Sequence, residues 1–165
     1  QRLSGFEVNL IAFDKYKQNY SDTITKEVSL DTLLKKSDVI SIHTNYVPEN
    51  KYIIDARFIE QVENPFILIN TARGFNVNTE DLVSGLKSGK ILGACLDVLE
   101  YESTSFESVS QLQNFNALEY LKQASNVVLT PHIAGWTHES YFKLSNVLAE
   151  KIEDWINLEV PGNET

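Results

Sequence analysis

An arginine that follows a short apolar run in this sequence is placed to bind an anion. The run Phe66–Ile69 has the side chains of a buried strand, and Asn70-Thr71-Ala72-Arg73-Gly74 comes directly after it. In open parallel α/β sheets, ligands bind beyond the carboxyl ends of the strands. A guanidinium can donate two parallel hydrogen bonds to a carboxylate. Arg73 is therefore predicted to hold the carboxylate of a substrate.

Proton transfer at neutral pH calls for histidine, whose imidazole titrates in that range. The sequence contains His43, His132 and His138. We expect His43 to support the loop after a strand and His138 to begin a helix. His132 directly follows Thr130-Pro131, just beyond another apolar run, so it lies near a strand end as Arg73 does.

Asp14 ends the apolar run Val8–Phe13. A carboxylate at the tip of the second strand of a dinucleotide-binding unit accepts hydrogen bonds from the adenosine ribose, and its charge repels a 2′-phosphate. Asp14 is either such a ribose ligand, in which case NAD rather than NADP is the predicted cofactor, or a turn residue, as an aspartate after a strand often is. The glycine-rich phosphate turn precedes such an acid by about 20 residues, farther than Gln1 lies from Asp14. We expect that turn and the first strand to lie upstream of Gln1.

The elements that position these residues alternate along the chain. Strands are predicted at Val8–Phe13, Val39–Ile42, Phe66–Ile69, Ile91–Leu96 and Val127–Leu129. Their continuous apolarity is typical of parallel strands buried on both faces. Helices are predicted at Ser29–Lys36, Asp55–Val62, Thr79–Lys87, Ala117–Gln123 and Glu139–Leu158. The alternation predicts an α/β fold, a Rossmann-type doubly wound parallel sheet that is incomplete because its first strand and glycine loop are missing.

Composition favours one globular domain. The 165 residues are 42% hydrophobic and 22% charged, close to the average for soluble proteins, and no apolar run reaches the roughly 20 residues of a membrane span. The net charge of −9 disfavours nucleic acid and acidic membrane surfaces as partners. We predict a cytoplasmic protein whose NAD-binding domain covers residues 1–158. Residues 159–165 are predicted to exit towards a substrate domain outside this chain.

Three short motifs, taken in their order and spacing, resemble the D-isomer-specific 2-hydroxyacid dehydrogenases. They are the Asn-Thr-Ala-Arg-Gly of residues 70–74, Gly93-Ala94-Cys95-Leu96-Asp97-Val98, and Thr130-Pro131-His132. The resemblance covers nearly the whole chain, and the polar stretch Ser103–Ser125 is the part that lacks a clear family pattern. It implies an NAD-dependent enzyme that interconverts a 2-oxo acid and its D-2-hydroxy acid by hydride transfer.

The resemblance also implies roles for individual residues. Arg73 binds the substrate carboxylate, His132 donates or accepts the proton, and Glu102 orients the imidazole and favours its charged form. Trp136 either lines the substrate pocket or packs beneath it. No metal is implied. The implied cofactor contacts are Asp14, Thr44, Asn45, Asn50, Thr71, Ala72, Arg73 and Asp97.

Substrate choice is less closely defined. Glu102 is followed by Ser103, where many relatives have proline, and a longer segment leads to His132. This resembles the D-lactate dehydrogenase branch and favours a small 2-oxo acid such as pyruvate, but phosphoglycerate, glycerate and bulkier 2-oxo acids stay open. Two alternatives to an active enzyme also stay open, an NAD-sensing corepressor-like protein and a fragment without activity of its own. The family implies a homodimer formed through the cofactor domain.

Overall fold

Parallel strands organise the first part of the chain into two sheets. The computed structural model describes residues 3–100 and 115–159. One sheet pairs β1 (Leu10–Ala12) with β2 (Thr25–Glu27). The other contains, in spatial order, β3 (Val39–Ile42), β4 (Phe66–Asn70), β5 (Ile91–Leu96) and β6 (Val127–Leu129). Every pairing in both sheets is parallel, so the predicted Rossmann-like α/β fold is confirmed.

The helices between the strands begin where the sequence provides capping side chains. They are α1 (Leu30–Lys36), α2 (Ala56–Gln61), α3 (Thr79–Ser88), α4 (Phe115–Gln123) and α5 (His138–Glu159). Ser29, Asp55 and Asn78 each accept a hydrogen bond from a backbone N–H in the first turn of α1, α2 and α3. These bonds satisfy N–H groups that have no partner inside the helix. Gly89 ends α3 with a left-handed φ of 76°, which glycine adopts without a steric penalty.

The chain divides into two compact units, Gln1–Leu129 and Thr130–Thr165. The first contains both sheets and α1 to α4, and the second contains the loop around His132 and the helix α5. Many large apolar side chains of α5 are exposed, including Leu144 and Trp155. None of the described helices is long and apolar enough to cross a membrane.

A hydrophobic core covers one face of the four-stranded sheet. Phe66 and Leu68 of β4 and Ile91 of β5 are fully buried in one cluster with side chains from α1 to α4. Within the unit Gln1–Leu129, the described residues leave the opposite face open, since Val39 is 53% and Leu92 is 54% exposed. The prediction of strands buried on both faces is therefore wrong for β3, β4 and β5, each of which has an exposed residue beside buried ones, because the described helices that share this core cover one side of the pleat.

The N-terminal region differs from the prediction in two details. The strand predicted at Val8–Phe13 is shorter, Leu10–Ala12, and the short polar strand β2 was missed because its Thr-Lys-Glu sequence has no apolar pattern. Gly5 lies inside a 3₁₀ turn, Ser4–Phe6, and Glu7 takes the left-handed conformation after it, with φ 53°.

Candidate functional site

The carboxyl ends of three neighbouring strands lie side by side. Ile42, Asn70 and Leu96, the last residues of β3, β4 and β5, are partners in the sheet register. The N–H of Asp97 donates to the carbonyl of Asn70 over 3.0 Å, which continues the pairing one residue further. The fold thus brings most of the predicted site residues to one edge of the sheet. Those that follow these strand ends are Thr44, Asn45, Thr71, Ala72, Arg73 and Asp97.

Asn70 fixes the loop that carries Arg73. The side chain is 1% exposed. Nδ2 donates to the carbonyl oxygen of Arg73 over 2.9 Å, and Oδ1 accepts from the N–H of Ala72 over 3.1 Å. A buried amide that donates and accepts in this way satisfies backbone groups that have left the strand pairing. Sequence reasoning missed the supporting role of this residue, although its place directly after the predicted strand was a usable signal.

Arg73 is exposed at this edge of the sheet. Its Nη1 donates to the carbonyl of Ala72 over 2.6 Å, and this is its one side-chain hydrogen bond to the described residues, so the guanidinium keeps donors for a ligand. The neighbouring Gly74 lies directly against the chain that leaves β5. A Cβ at Gly74 would come within 1.9 Å of the carbonyl oxygen of Leu99. The close approach of these two backbones therefore requires glycine.

The loop after β3 is braced against the loop after β4. Asn50, which is 9% exposed, donates from Nδ2 to both the carbonyl and the Oδ1 of Asn45, each over 3.0 Å. The carbonyl of Asn50 accepts from Nδ2 of the buried Asn76 over 2.9 Å. The rings of Tyr46 and Phe75 meet edge to face, with their centroids 4.6 Å apart. Asn45 and Asn50, both predicted cofactor contacts, thus also hold each other in place.

Two carboxylates, those of Asp97 and Glu100, follow the end of β5 beside these loops. Asp97 is 3% exposed at the end of β5. Three residues later, Oε2 of Glu100 accepts from the N–H and the Oγ1 of Thr79, each over 2.8 Å. Thr79 is the first residue of α3, where the helix dipole favours a negative charge. The predicted catalytic carboxylate, Glu102, lies outside the described residues.

Asp14 lies on the other sheet, beyond the carboxyl end of β1. Its Oδ1 accepts from the N–H groups of Tyr16 and Lys17 over 2.8 and 3.0 Å. These backbone hydrogen bonds hold the pKa of the Asp14 carboxyl below its ordinary value of 3.8. Oδ2 has no hydrogen-bond partner among the described residues. Asp14 and its neighbours border a shallow cavity of about 520 Å³.

His132 belongs to the second unit and is exposed there. Its backbone has a left-handed φ of 55°, and its N–H donates to the carbonyl of Thr130 over 3.0 Å. Such a conformation is uncommon for a residue with a Cβ, and residues that adopt it cluster at functional sites; Glu7, Asn19 and Tyr52 also adopt it in this chain. Four residues on, Trp136 is 68% exposed.

Comparison with known proteins identifies the family. The model of the D-isomer specific 2-hydroxyacid dehydrogenase, NAD binding domain, matches residues 1–134. The chain belongs to this dehydrogenase family. It is 32% identical over 155 residues to an aromatic 2-oxoacid reductase of Clostridium sporogenes, a match that covers 92% of this chain and 47% of the relative.

Solved structures of the dehydrogenase family share the fold. D-2-hydroxyisocaproate dehydrogenase superposes with a TM-score of 0.80 at 31% identity, covering 96% of this chain and 48% of that protein. The NAD complex of the D-isomer specific 2-hydroxyacid dehydrogenase from Lactobacillus delbrueckii ssp. bulgaricus also has a TM-score of 0.80, at 28% identity, with 97% and 49% covered. The chain therefore spans about half the length of these relatives.

The residues at the sheet edge fit the NAD of this dehydrogenase family. Thr44 Oγ1 is buried and has no hydrogen-bond partner among the described residues. An unsatisfied buried hydroxyl beside a ligand-binding edge favours a polar ligand group, since buried polar atoms are normally paired. The open carboxylate oxygen of Asp14 suits ribose hydroxyls.

Proposed function

We propose that the polypeptide to which this chain belongs is an NAD-dependent oxidoreductase that interconverts a small 2-oxo acid and its D-2-hydroxy acid. The observation that carries this proposal is the position of Arg73 in the loop after β4, residues 71–78, which we call the arginine loop. In a family of dehydrogenases, Arg73 lies exposed at the carboxyl edge of the parallel sheet, on a backbone held by the buried Asn70. Because the chain covers about half of its relatives, we assign the activity to the longer polypeptide.

Each proposed role follows from the chemistry of the side chain. Arg73 binds the carboxylate of the 2-oxo acid and orients it. His132 donates a proton to the keto oxygen in reduction and accepts it back in oxidation. Glu102 favours the imidazolium form and orients the ring. NAD, when bound, supplies or accepts the hydride.

The proposed cofactor contacts lie on both sheets. Asp14 binds the adenosine ribose, and its charge disfavours the 2′-phosphate of NADP. Asp97, buried at the end of β5, is proposed to bind polar groups of the cofactor near the nicotinamide. The remaining contacts belong to the loops after β3 and β4. They are Thr44, Asn45, Asn50, Thr71 and Ala72.

The arrangement of the strands supports a strand upstream of Gln1. The strand β1 pairs on one side with β2, and β3 pairs on one side with β4, so each presents an unpaired edge to the rest of the described residues. In a Rossmann sheet the first strand lies between those that correspond to β1 and β3. We propose that this strand and the glycine loop precede residue 1, with the NAD-binding domain running to residue 158. A cytoplasmic location and a homodimer formed through this domain are part of the same proposal.

NADH oxidation by the full polypeptide with a panel of 2-oxo acids tests this function. The panel includes pyruvate, glyoxylate, hydroxypyruvate and an aromatic 2-oxo acid, because relatives are named for several of these classes. We expect turnover with a small 2-oxo acid and a D-configured product. In the variant His132→Ala, kcat should fall by about 10²–10⁴-fold, whereas His138→Ala, which alters the first residue of α5, should keep it. NAD binding without turnover on any member of the panel would instead support a sensor.

A further inference from the structure

Glu100 joins the loop behind Arg73 to the segment that leaves β5. Its Oε2 accepts from the N–H and the Oγ1 of Thr79, each over 2.8 Å. Thr79 is 3% exposed and follows the loop that starts at Arg73. Hydrogen bonds to an ionised carboxylate are stronger than neutral ones. The end of the arginine loop is therefore tied to Glu100.

A second contact joins the same two segments at Gly74. A Cβ at this position would lie 1.9 Å from the carbonyl oxygen of Leu99 and 2.5 Å from the nitrogen of Glu100. The two backbones thus touch with no side chain between them. Close-packed interiors transmit displacements, so a shift of the peptide between Leu99 and Glu100 would move Gly74. The residue directly before Gly74 is Arg73.

A third segment packs against both of these. The N–H of Tyr52 donates to the carbonyl of Phe75 over 2.9 Å, and the N–H of Ile54 donates to the carbonyl of Asn76 over 3.0 Å. Tyr52 has a left-handed φ of 54°, a strained conformation that its surroundings must stabilise. Burial is the largest cause of the raised pKa of the Tyr52 hydroxyl, and the charge and hydrogen bonding of Glu100 raise it further. Glu100 thus lies where three loop segments meet.

We propose that Glu100 is a positioning residue for Arg73. Its carboxylate holds the Leu99–Glu100 peptide against Gly74, and this contact fixes the position from which the guanidinium meets a substrate carboxylate. The inference rests on the proposed function, in which Arg73 binds the 2-oxo acid. Glu100 acts through Arg73, so its loss should weaken substrate binding and leave cofactor binding nearly unchanged.

Steady-state kinetics of the full polypeptide test this role. Glu100→Ala should raise the KM for the 2-oxo acid about tenfold, since small misplacements of a binding group are costly, while the KM for NADH changes less than about twofold. Glu100→Gln keeps an oxygen acceptor for Thr79 and should recover most of the loss. The matched control is Glu80→Ala, which removes an exposed acid from the same turn of α3 and should leave both KM values unchanged.

A double-mutant cycle separates positioning of Arg73 from a general structural effect. In an Arg73→Ala background, Glu100→Ala should add less than about twofold to the KM, because residues that act through one another are not additive. Independent, multiplied losses would overturn the proposal. Thr79→Val keeps the volume and removes the hydroxyl bond, and it should show a smaller rise in KM. It provides the test if Glu100→Ala does not fold.

The outcomes also separate this inference from the proposed function. A full polypeptide that reduces no 2-oxo acid overturns the function itself. An active enzyme in which Arg73→Ala raises the KM for the 2-oxo acid, but neither Glu100→Ala nor Thr79→Val does, overturns the positioning role alone.

Discussion

The buried side-chain amide of Asn70 holds the backbone at Arg73 through a hydrogen bond to the Arg73 carbonyl. Arginine has a long side chain with many rotamers. An arginine that binds a substrate is therefore positioned more precisely where the backbone that carries it is fixed. Asn70 provides that support from within the sheet edge, and its two hydrogen bonds span the loop from Ala72 to Arg73. The two side chains therefore differ, since Asn70 is buried and supports the backbone, whereas Arg73 is exposed and is the proposed ligand for the substrate.

Replacing Asn70 by Ala should lower the free energy of unfolding by about 1–3 kcal/mol, because the carbonyl of Arg73 and the N–H of Ala72 lose their partner in a buried place. Urea unfolding measures this. Asn126→Ala is the matched control, since Asn126 also donates to a backbone carbonyl but is exposed, and water can replace its bond. Equal losses in the two variants would show that burial does not matter here.

Arg73→Ala should lower kcat/KM for the 2-oxo acid by about 10²-fold or more, through the loss of a charge-assisted pair with the substrate carboxylate. The thermal unfolding temperature should hardly change, because the guanidinium is exposed and makes one hydrogen bond within the described part of the chain. Arg57→Ala, an exposed arginine of α2, serves as the control. Equal activity in the two variants would refute the substrate-binding role.

The charge of Asp14 should set the cofactor preference at every physiological pH. Backbone hydrogen bonds lower the pKa of the carboxyl from 3.8, so the group stays ionised above that value and becomes protonated as the pH falls through its folded pKa. The preference for NADH over NADPH should therefore be constant from about pH 5 to 8, and Asp14→Ser should reduce it. Ratios of kcat/KM for the two cofactors, measured across this range, test the prediction. A preference that titrates near neutrality would point to another group.

At the scale of secondary-structure elements, the site depends on how closely the turns after β4 and β5 approach each other. Strands bring their carboxyl ends to one edge, but the 4.7–4.9 Å spacing typical of neighbouring strands leaves little room between the turns that follow. Gly74 allows this close approach because it has no Cβ where it lies against the Leu99–Glu100 peptide. Helix α3 then begins at Thr79 under the Glu100 carboxylate.

Gly74→Ala should destabilise the domain by about 1–3 kcal/mol or more, because the new Cβ would overlap the Leu99 carbonyl and the backbone must shift. Gly5→Ala is a suitable control, because a Cβ there meets nothing within 4 Å and its φ is not left-handed. Thermal unfolding of both variants provides the comparison. A Gly74→Ala variant as stable as Gly5→Ala would mean that the two turns are farther apart than the structure shows.

At the scale of the whole molecule, the described chain has two sheets rather than one. Among the described residues, the edges of β1 and β3 have no strand partner, and the open face of the larger sheet exposes Val39, Leu92 and Val128 by 53%, 54% and 57%. Unpaired edges and exposed apolar faces promote association. These features support the proposed upstream strand.

The 165-residue chain alone should therefore unfold with low cooperativity and bind NAD much more weakly than the full polypeptide. Calorimetry and NAD titration of both proteins, together with sedimentation of the shorter one, measure the differences. Addition of the proposed first strand should sharpen the transition, because a paired central strand would couple the two sheets. A cooperative, monomeric transition with micromolar NAD affinity in the short chain would contradict this expectation.

The amino-acid sequence by itself determined the fold class, the family and the place of Arg73 and Asp97 at strand ends. These follow from local signals, namely apolar runs, capping residues such as Ser29 and Asn78, and three motifs in order. Local signals did not predict the strand β2, which is short and polar. They also predicted the wrong burial for β3, because the burial of a strand face depends on which elements pack against it.

The tertiary structure alone decided which residues support the site. Thr79 and Glu100 are far apart in the sequence, as are Gly74 and Leu99. No local sequence pattern predicts that the members of either pair touch. Such contacts arise when parallel strands align their carboxyl ends and the following turns meet. The sequence could therefore place an arginine just beyond the end of a strand, while the packing of three distant segments shows what holds its loop.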